Sequence, residues 1–487
     1  MMLRPSQTKI IATVGPAILS VEKLVELIQA GVDVFRINAA HGKVDKFAAN
    51  LALIRQAEKE ADAPIAVLMD LAGPKMRLGE IEGGELDCVQ GEKIRFIRGK
   101  ESPQKNWLTS TYEPLVDELN IGDRVLMCDG LVSVEITEKG GDYVEGVVVQ
   151  SGVVRSRQGI NLPGVKLSVK SLQPVDIDNA IWAVQNGVDY LGFSFVRSAE
   201  EIDELRDILV ANKPAGKPLN TGIIAKIEKP EAVENLEQIV LASDGVMVAR
   251  GDLGVEVDIA KMGVVQKEII RVCRAMGKPV IVATQMLESM THSRIPTRAE
   301  ASDVANAVFD GADCIMLSGE TAVGDYPVET VKTMHRIALE TEKERAKRDD
   351  EPEPMVPCFY DDSENTLLRP SSLVACAMAE AAVHIADTTE ASVIIAATST
   401  GRTALDLAQL RSPASTIGCS PVLEAARRMA LYWGVIPMYL PKAKNYADIV
   451  AEAKKREYVE TGEAVVLLTG QNVFKDSYNA VAVIEVK

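Results

Sequence analysis

Lys226 and Glu228 stand two residues apart at the end of one short apolar run, and Asp252 follows the end of the next. Two carboxylates from neighbouring strand ends can hold one Mg2+ or Mn2+ and leave positions for water and substrate oxygens. A lysine beside them adds positive charge where negative charge could develop. The blander reading is a Lys–Glu ion pair and a helix-capping Asp; two adjacent carboxylate-bearing ends favour the metal. Arg36, Lys75 and Arg77, with Asn38 and Asp70 between them, form a basic cluster suited to phosphate. In Arg250-Gly251-Asp252-Leu253-Gly254 the glycines allow close backbone approach, and N–H groups at a helix start could bind a carboxylate. Hydroxyls at Thr284 and Ser318 could relay a proton or merely cap helices. Thr398, Ser399, Thr400, Gly401, Arg402 and Thr403 read as a phosphate-binding loop or as an ordinary helix cap.

These residues need a scaffold that brings them together. Apolar runs lie at 10–14, 34–37, 65–69, 190–193, 222–225, 245–249, 280–283 and 314–317, separated by helix-length segments. After the first, they lead into Asn38, Asp70, Ser194, Lys226 with Glu228, Asp252, Thr284 and Ser318. Eight short buried strands alternating with helices predict an α/β (β/α)8 TIM barrel, whose active site lies at the C-terminal ends of the strands.

The chain has 487 residues, 47% apolar, and a net charge of −17. That length predicts two to four domains. The acidic balance argues against a nucleic-acid or acidic-membrane partner. No run reaches the roughly 18 apolar residues of a membrane helix, and no signal-peptide layout opens the chain, so a cytoplasmic location is expected. Seven cysteines occur singly, which predicts buried reduced thiols rather than a zinc or disulfide framework. Four scattered histidines leave a hard cation on carboxylates as the expected metal.

One interval breaks the regular spacing. Residues 74–158 are rich in Val, Ile, Gly and Asp, with alternating runs near 122–128, 132–138 and 143–149. They predict a small β-barrel-like domain inserted after the third strand, placed to act as a lid. The barrel is then 1–73 and 159–346. A charged, proline-rich linker is expected over 347–370, and a C-terminal α/β domain over 371–487, with a largely parallel sheet.

The stretches 8–16 (TKIIATVGP), 224–228 (IAKIE), 244–254 (DGVMVARGDLG), 283–290 (ATQMLESM), 296–300 (PTRAE) and 316–321 (MLSGET) together resemble the pyruvate kinase family, over most of the chain. The resemblance implies phosphoryl transfer from phosphoenolpyruvate to ADP, giving pyruvate and ATP. By motif position, it implies that Lys226 stabilises the transferring phosphoryl group and that Glu228 and Asp252 bind Mg2+. Backbone near Gly251 and Asp252, with Thr284, would hold the substrate carboxylate. Arg36 would contact the phosphoryl group, and Arg77, with Arg36 and Asn38, the nucleotide. Thr284 and Ser318 would help deliver the proton to the enolate. A homotetramer and a regulatory C-terminal domain are inherited with the family.

The chain departs from the family pattern at Ala40 and Leu71, where hydroxyls that hold potassium are usual. Lys75 stands where potassium-requiring relatives carry glutamate, and the resemblance then implies an enzyme that does not require K+, with Lys75 near the ion's place and pairing with Asp70 or the substrate. Gln158 replaces a lysine often implicated in nucleotide binding. Residues 398–403 match the effector's phosphate loop, while 473–479 do not keep the later glycine-rich loop, which implies a phosphorylated small-molecule effector other than fructose 1,6-bisphosphate. Competing readings are a Mg2+-dependent barrel lyase or aldolase acting on a pyruvate enolate, and a catalytically weakened metabolite sensor.

Overall fold

The structure, a computed structural model, describes residues 6–40, 42–128, 130–347, 372–470, 473 and 479–487. Eight strands close in sequence order into one parallel barrel. They are β1 (Lys9–Thr13), β2 (Val34–Asn38), β3 (Ala66–Asp70), β4 (Tyr190–Phe193), β5 (Gly222–Ile227), β6 (Gly245–Ala249), β7 (Val280–Ala283) and β8 (Cys314–Leu317). Seven of the eight match the expected runs to within one residue at each end; β5 extends two residues further, through Lys226 to Ile227. Their near-continuous apolar sequences reflect burial on both faces.

Side-chain parity aims the chemistry. Ile11, Val34, Leu68, Tyr190, Ile224, Met247, Ile281 and Met316 belong to the cluster that fills the barrel interior. Ile10, Phe35, Val67, Leu191, Ile223, Val246, Val282 and Ile315 instead pack outward against the helices. Two residues beyond five of the inward positions come Arg36, Asp70, Gly192, Lys226 and Ser318. The period of two that builds the core therefore delivers these residues to the barrel mouth.

The surrounding helices follow the usual signals. In Val21–Ala30, Val21, Leu24, Leu27 and Ala30 are buried, at a three-residue spacing that keeps them on one side of the helix. Ser20 caps this helix through Lys23 N, and Gly31 ends it at φ 121°.

Between β3 and β4 the chain leaves the barrel and builds a six-stranded sheet and a two-stranded sheet. They enclose a separate core that includes Leu78, Phe96, Val125, Val134 and Val148. The chain enters and leaves side by side: Arg77 pairs with Gly159 as an antiparallel bridge, and Leu78 N donates to Gln158 O at 2.8 Å.

The C-terminal sheet has five strands, in the order Val435–Tyr439, Ser415–Ser420, Val393–Ala397, Ala464–Thr469, Ala480–Glu485. Only the last pairing is antiparallel. The edge strand Val435–Tyr439 carries Pro437, which an edge position tolerates. This domain docks at the foot of the barrel. Tyr190 Oη donates to Arg428 O at 2.9 Å, and Arg427 forms a two-pronged ion pair with Glu58, at 2.8 and 2.6 Å.

Five cysteines are buried free thiols, as expected, but Cys376 is half-buried and disulfide-bonded, which corrects the expectation of reduced thiols throughout. Apart from Lys347, the expected linker lies outside the described residues. Among the described residues no helix is long and apolar enough to cross a membrane.

Candidate active site

Asp70, at the tip of β3, is the pivot of the site. Its Oδ2 lies 2.7 Å from Arg36 Nε, 2.6 Å from Arg36 Nη2 and 3.5 Å from Lys226 Nζ. Arg36 Nη1 also donates to Thr13 Oγ1 at 3.3 Å. Lys226 Nζ donates to Ser194 Oγ at 2.8 Å, and Ser194 Oγ in turn donates to Leu71 O at 2.7 Å. Burial alone would raise the Asp70 pKa, but Lys226 and Arg36 outweigh it and hold the carboxyl below its usual value. Burial would likewise strip the proton from Lys226; Asp70 and Glu228 reverse that and raise its pKa, so the ammonium stays charged.

Glu228 Oε1 lies 2.8 Å from Lys226 Nζ, but without the alignment of a hydrogen bond, and it is buried with no other partner. Its Oε2 accepts from Phe195 N at 2.7 Å. Burial, with Asp252 adding to it and Lys226 opposing, pushes the Glu228 carboxyl up to about 7. Asp252 sits half-buried in the first turn of the helix Arg250–Glu256. Among the described residues no three His, Cys, Asp or Glu groups converge on a common point. An under-satisfied buried carboxylate with a second beside it fits a Mg2+ ion whose remaining ligands are water and substrate oxygens.

Thr284 follows β7 in a left-handed conformation, φ 68°, and so does Gln285, φ 54°. For residues with side chains each such conformation costs on the order of 1–3 kcal/mol, and such strain clusters at functional sites. Thr284 Oγ1 accepts from Gly251 N at 2.8 Å and donates to Ala283 O at 2.6 Å. The Gly251 N–H, expected to be open to a substrate carboxylate, is thus already engaged. Ser318 Oγ, at the end of β8, is buried without a partner.

One expectation is corrected for the first of the two partners it named. Lys75 does not pair with Asp70. The chain turns away at Gly73, φ 64°, and Lys75 is exposed on an open cleft of about 690 Å³ that also borders Met76, Asn161, Phe195, Lys229 and Asp252. Asp70 is buried and already serves two cations. Gln158 spends its Oε1 on Arg155 N within a turn. Arg77 lies half-buried at the lid junction, with Nη1 on Arg157 O at 3.1 Å, and Asn38 Oδ1 accepts from Ala40 N.

The loop at 398–403 lies in the C-terminal domain, away from this cluster. Thr398 Oγ1 accepts from Gly401 N at 3.0 Å, Thr400 Oγ1 from Arg402 N at 3.3 Å, and Arg402 pairs with Asp406 at 2.9 Å. Gly401 takes φ 92°. Of the second loop, only Val473 and Asn479 fall among the described residues.

Sequence reasoning passed over Gly192 and gave no role to Ser194 or Thr13. A Cβ on Gly192 would fall 2.0 Å from Asp70 Oδ1, so only glycine leaves room for that carboxylate. The signal was available: Gly192 stands at the inward parity of β4, opposite Asp70 in the register.

A closed parallel barrel with two cations around one buried carboxylate at its mouth, and further carboxylates beside them, suits an enzyme of phosphate transfer chemistry. Comparison with known proteins narrows this. The family model described as the barrel domain of pyruvate kinase matches residues 5–331, and that of its alpha/beta domain matches 376–484. A pyruvate kinase of Agrobacterium vitis is 40% identical over 471 residues, covering 95% of each chain. One of Geobacillus stearothermophilus is 38% identical over 95% of this chain and 77% of its own. A crystal structure of a pyruvate kinase from Cryptosporidium parvum superposes with a TM-score of 0.88 at 32% identity, covering 99% of this chain and 97% of its own. The chain belongs to the pyruvate kinase family. Its activity is phosphoryl transfer from phosphoenolpyruvate to ADP, a phosphotransferase step of glycolysis, and the lyase or aldolase reading is not favoured. The family uses a divalent metal and usually K+.

Proposed function

We propose that the Asp70 cluster is the phosphoryl-handling end of this active site. Before substrate binds, Asp70 keeps Lys226 charged and holds Lys226 and Arg36 aimed inward; an arriving phosphoryl group competes with it for both cations. The observation that carries the reading is the convergence of Arg36 and Lys226 on one buried oxygen beside Glu228. Glu228 and Asp252 would hold Mg2+, which supplies neutralisation of charge on the substrate oxygens. The backbone at Gly251 and Asp252, with the Thr284 hydroxyl, would receive the substrate carboxylate by replacing or sharing the Gly251–Thr284 bond. Thr284 and Ser318 hydroxyls would move the proton that converts the enolate to pyruvate; the unpartnered Ser318 Oγ suits that task. Arg77, Arg36 and Asn38 would face the nucleotide across the lid junction, with Gln158 contributing little.

Independence from K+ is part of the proposal, on altered grounds. Asp70 already neutralises two buried cations, and Ala40 and Leu71 offer no side-chain oxygen. Lys75 would act on the substrate or nucleotide in the cleft rather than on Asp70. A phosphorylated small-molecule effector at 398–403, a homotetramer and a cytoplasmic location complete the reading, as does the division into barrel, lid, linker and C-terminal domain at the boundaries given above.

Lys226→Met tests the centre of this assignment. A positive charge acting mainly in the transition state should lower kcat far more than affinity. We expect kcat to drop by at least about 1000-fold, with phosphoenolpyruvate binding, followed by calorimetry, changed less than about tenfold. Near-wild-type turnover removes the assignment.

A further inference from the structure

Arg250 has no role in the reading above, yet it is the most heavily engaged side chain around Thr284. Its Nε and Nη2 lie 3.2 and 2.7 Å from Thr284 O, and Nη2 also reaches Gln285 O at 3.1 Å and Met286 Sδ at 2.8 Å. Its remaining arm, Nη1, pairs with Asp303 Oδ2 at 2.6 Å. Asp303 belongs to the helix Arg298–Phe309. The guanidinium is thus held at one end by that helix and spends its other two nitrogens on the turn after β7.

That turn needs outside support. β7 ends at Ala283, and the next two residues are both left-handed. Their carbonyls are out of the ladder and require donors from elsewhere. Arg250 supplies them. The next residue along, Gly251, donates its N–H to the Thr284 hydroxyl. The dipeptide Arg250-Gly251 therefore grips Thr284 at both ends, the side chain on its carbonyl and the backbone on its hydroxyl.

We infer that Arg250, anchored by Asp303, is a positioning residue that fixes the Thr284 hydroxyl for proton delivery to the enolate. It acts through the turn and does not itself touch the substrate. The inference rests on the role proposed for Thr284. Geometry makes arginine necessary: a planar fork can satisfy two carbonyls and a carboxylate together, whereas a lysine ammonium is a point charge on a flexible stem. A purely structural ion pair with Asp303 would ask only for the charge.

The experiment uses the full-length enzyme with Arg250→Lys, Arg250→Met, Thr284→Val and the Arg250→Lys/Thr284→Val double variant. The readouts are kcat, KM for phosphoenolpyruvate, melting temperature, and solvent deuterium incorporation into the methyl group of pyruvate. Arg250→Lys keeps the ion pair and should melt near wild type, yet lose about 100-fold in kcat and in deuterium exchange, with KM within about threefold. The double variant should lose no more than Thr284→Val alone, since both changes remove one function. Wild-type kcat in Arg250→Lys overturns the inference, and so do losses that multiply in the double variant. The two levels separate cleanly. An inactive Thr284→Val beside a fully active Arg250→Lys removes only the positioning role; a fully active Thr284→Val removes the Thr284 assignment and the inference with it.

Discussion

Gly192→Ala is the smallest change that should dismantle the phosphoryl-handling cluster. The new methyl carbon would sit 2.0 Å from Asp70 Oδ1 and 3.1 Å from its Cγ, against about 3.4 Å for an ordinary contact. Gly192 and Asp70 are registered partners on adjacent buried strands, so the carboxylate must retreat by roughly 1.4 Å. Stretching the Arg36–Asp70 contact from 2.6 Å to about 4 Å weakens it by about 2 kcal/mol at an effective dielectric constant of about 20. Lys226 and Arg36 then lose their shared anchor, and a misplacement of about 1 Å costs on the order of 100-fold in rate. Expected results are a kcat lower by about 100-fold at saturating substrates and a urea midpoint shifted down, corresponding to roughly 2–4 kcal/mol. Gly263→Ala is the control. It lies in a helix with nothing within 4 Å of the added carbon, and should be neutral or slightly stabilising. If Gly192→Ala matches Gly263→Ala in both rate and midpoint, Asp70 is not the pivot and the reasoning fails.

Three further outcomes can be checked independently. Replacing K+ by Na+ or a tetraalkylammonium salt at constant ionic strength should change kcat less than about twofold, because two protein cations already surround Asp70; strong activation by K+ alone contradicts this. Thr403→Glu, at the end of the proposed phosphate loop 398–403, should abolish the response to phosphorylated metabolites while leaving basal kcat intact; substrate saturation curves that no such metabolite moves would reduce the loop to a helix cap. His335 tests pH dependence. Burial depresses its pKa below the usual 6.5, with Lys9 acting the same way and Asp33 opposing. The unfolded chain then binds the proton more readily, so stability should hold above about pH 6.5 and fall as pH drops below it. Urea midpoints at pH 7.5 and 5.5 should differ less in His335→Gln than in wild type; an equal difference excludes the linkage.

Much of this was legible because barrels repeat a simple rule. Apolar strands buried on both faces stand out in the sequence, and the polar residue after each one marks the mouth. Lys226, Glu228, Asp252 and Thr284 were found that way. The rule does not reveal partner choice. Lys75 follows β3 by only five residues, and the family resemblance implied a place beside Asp70 or the substrate. The turn at Gly73 carries it out to the cleft, and Arg36 from the adjacent strand takes its place. Gly192 was passed over for a different reason: its contribution is the absence of a side chain, so a search for reactive groups skips it even though the inward parity of β4 marks the position. In the C-terminal domain, the strand Val435–Tyr439 holds Pro437 at the sheet edge, where one side of the backbone is unpaired.

The lid's attachment carries a consequence for how this protein can be rearranged. The chain leaves the barrel after β3 and returns before β4 through one antiparallel pair, Arg77 with Gly159. Paired residues of that kind sit about 5 Å apart. To the barrel, the whole inserted domain therefore resembles a short hairpin, and its length carries little closure entropy. The insert also has its own core. Excision at this junction, with a short turn joining the two stubs, should leave a foldable barrel, and the excised segment offers matched ends for grafting into another scaffold. Modularity of this sort lets the cover over an active site vary in size and sequence while the strand tips beneath it stay in register.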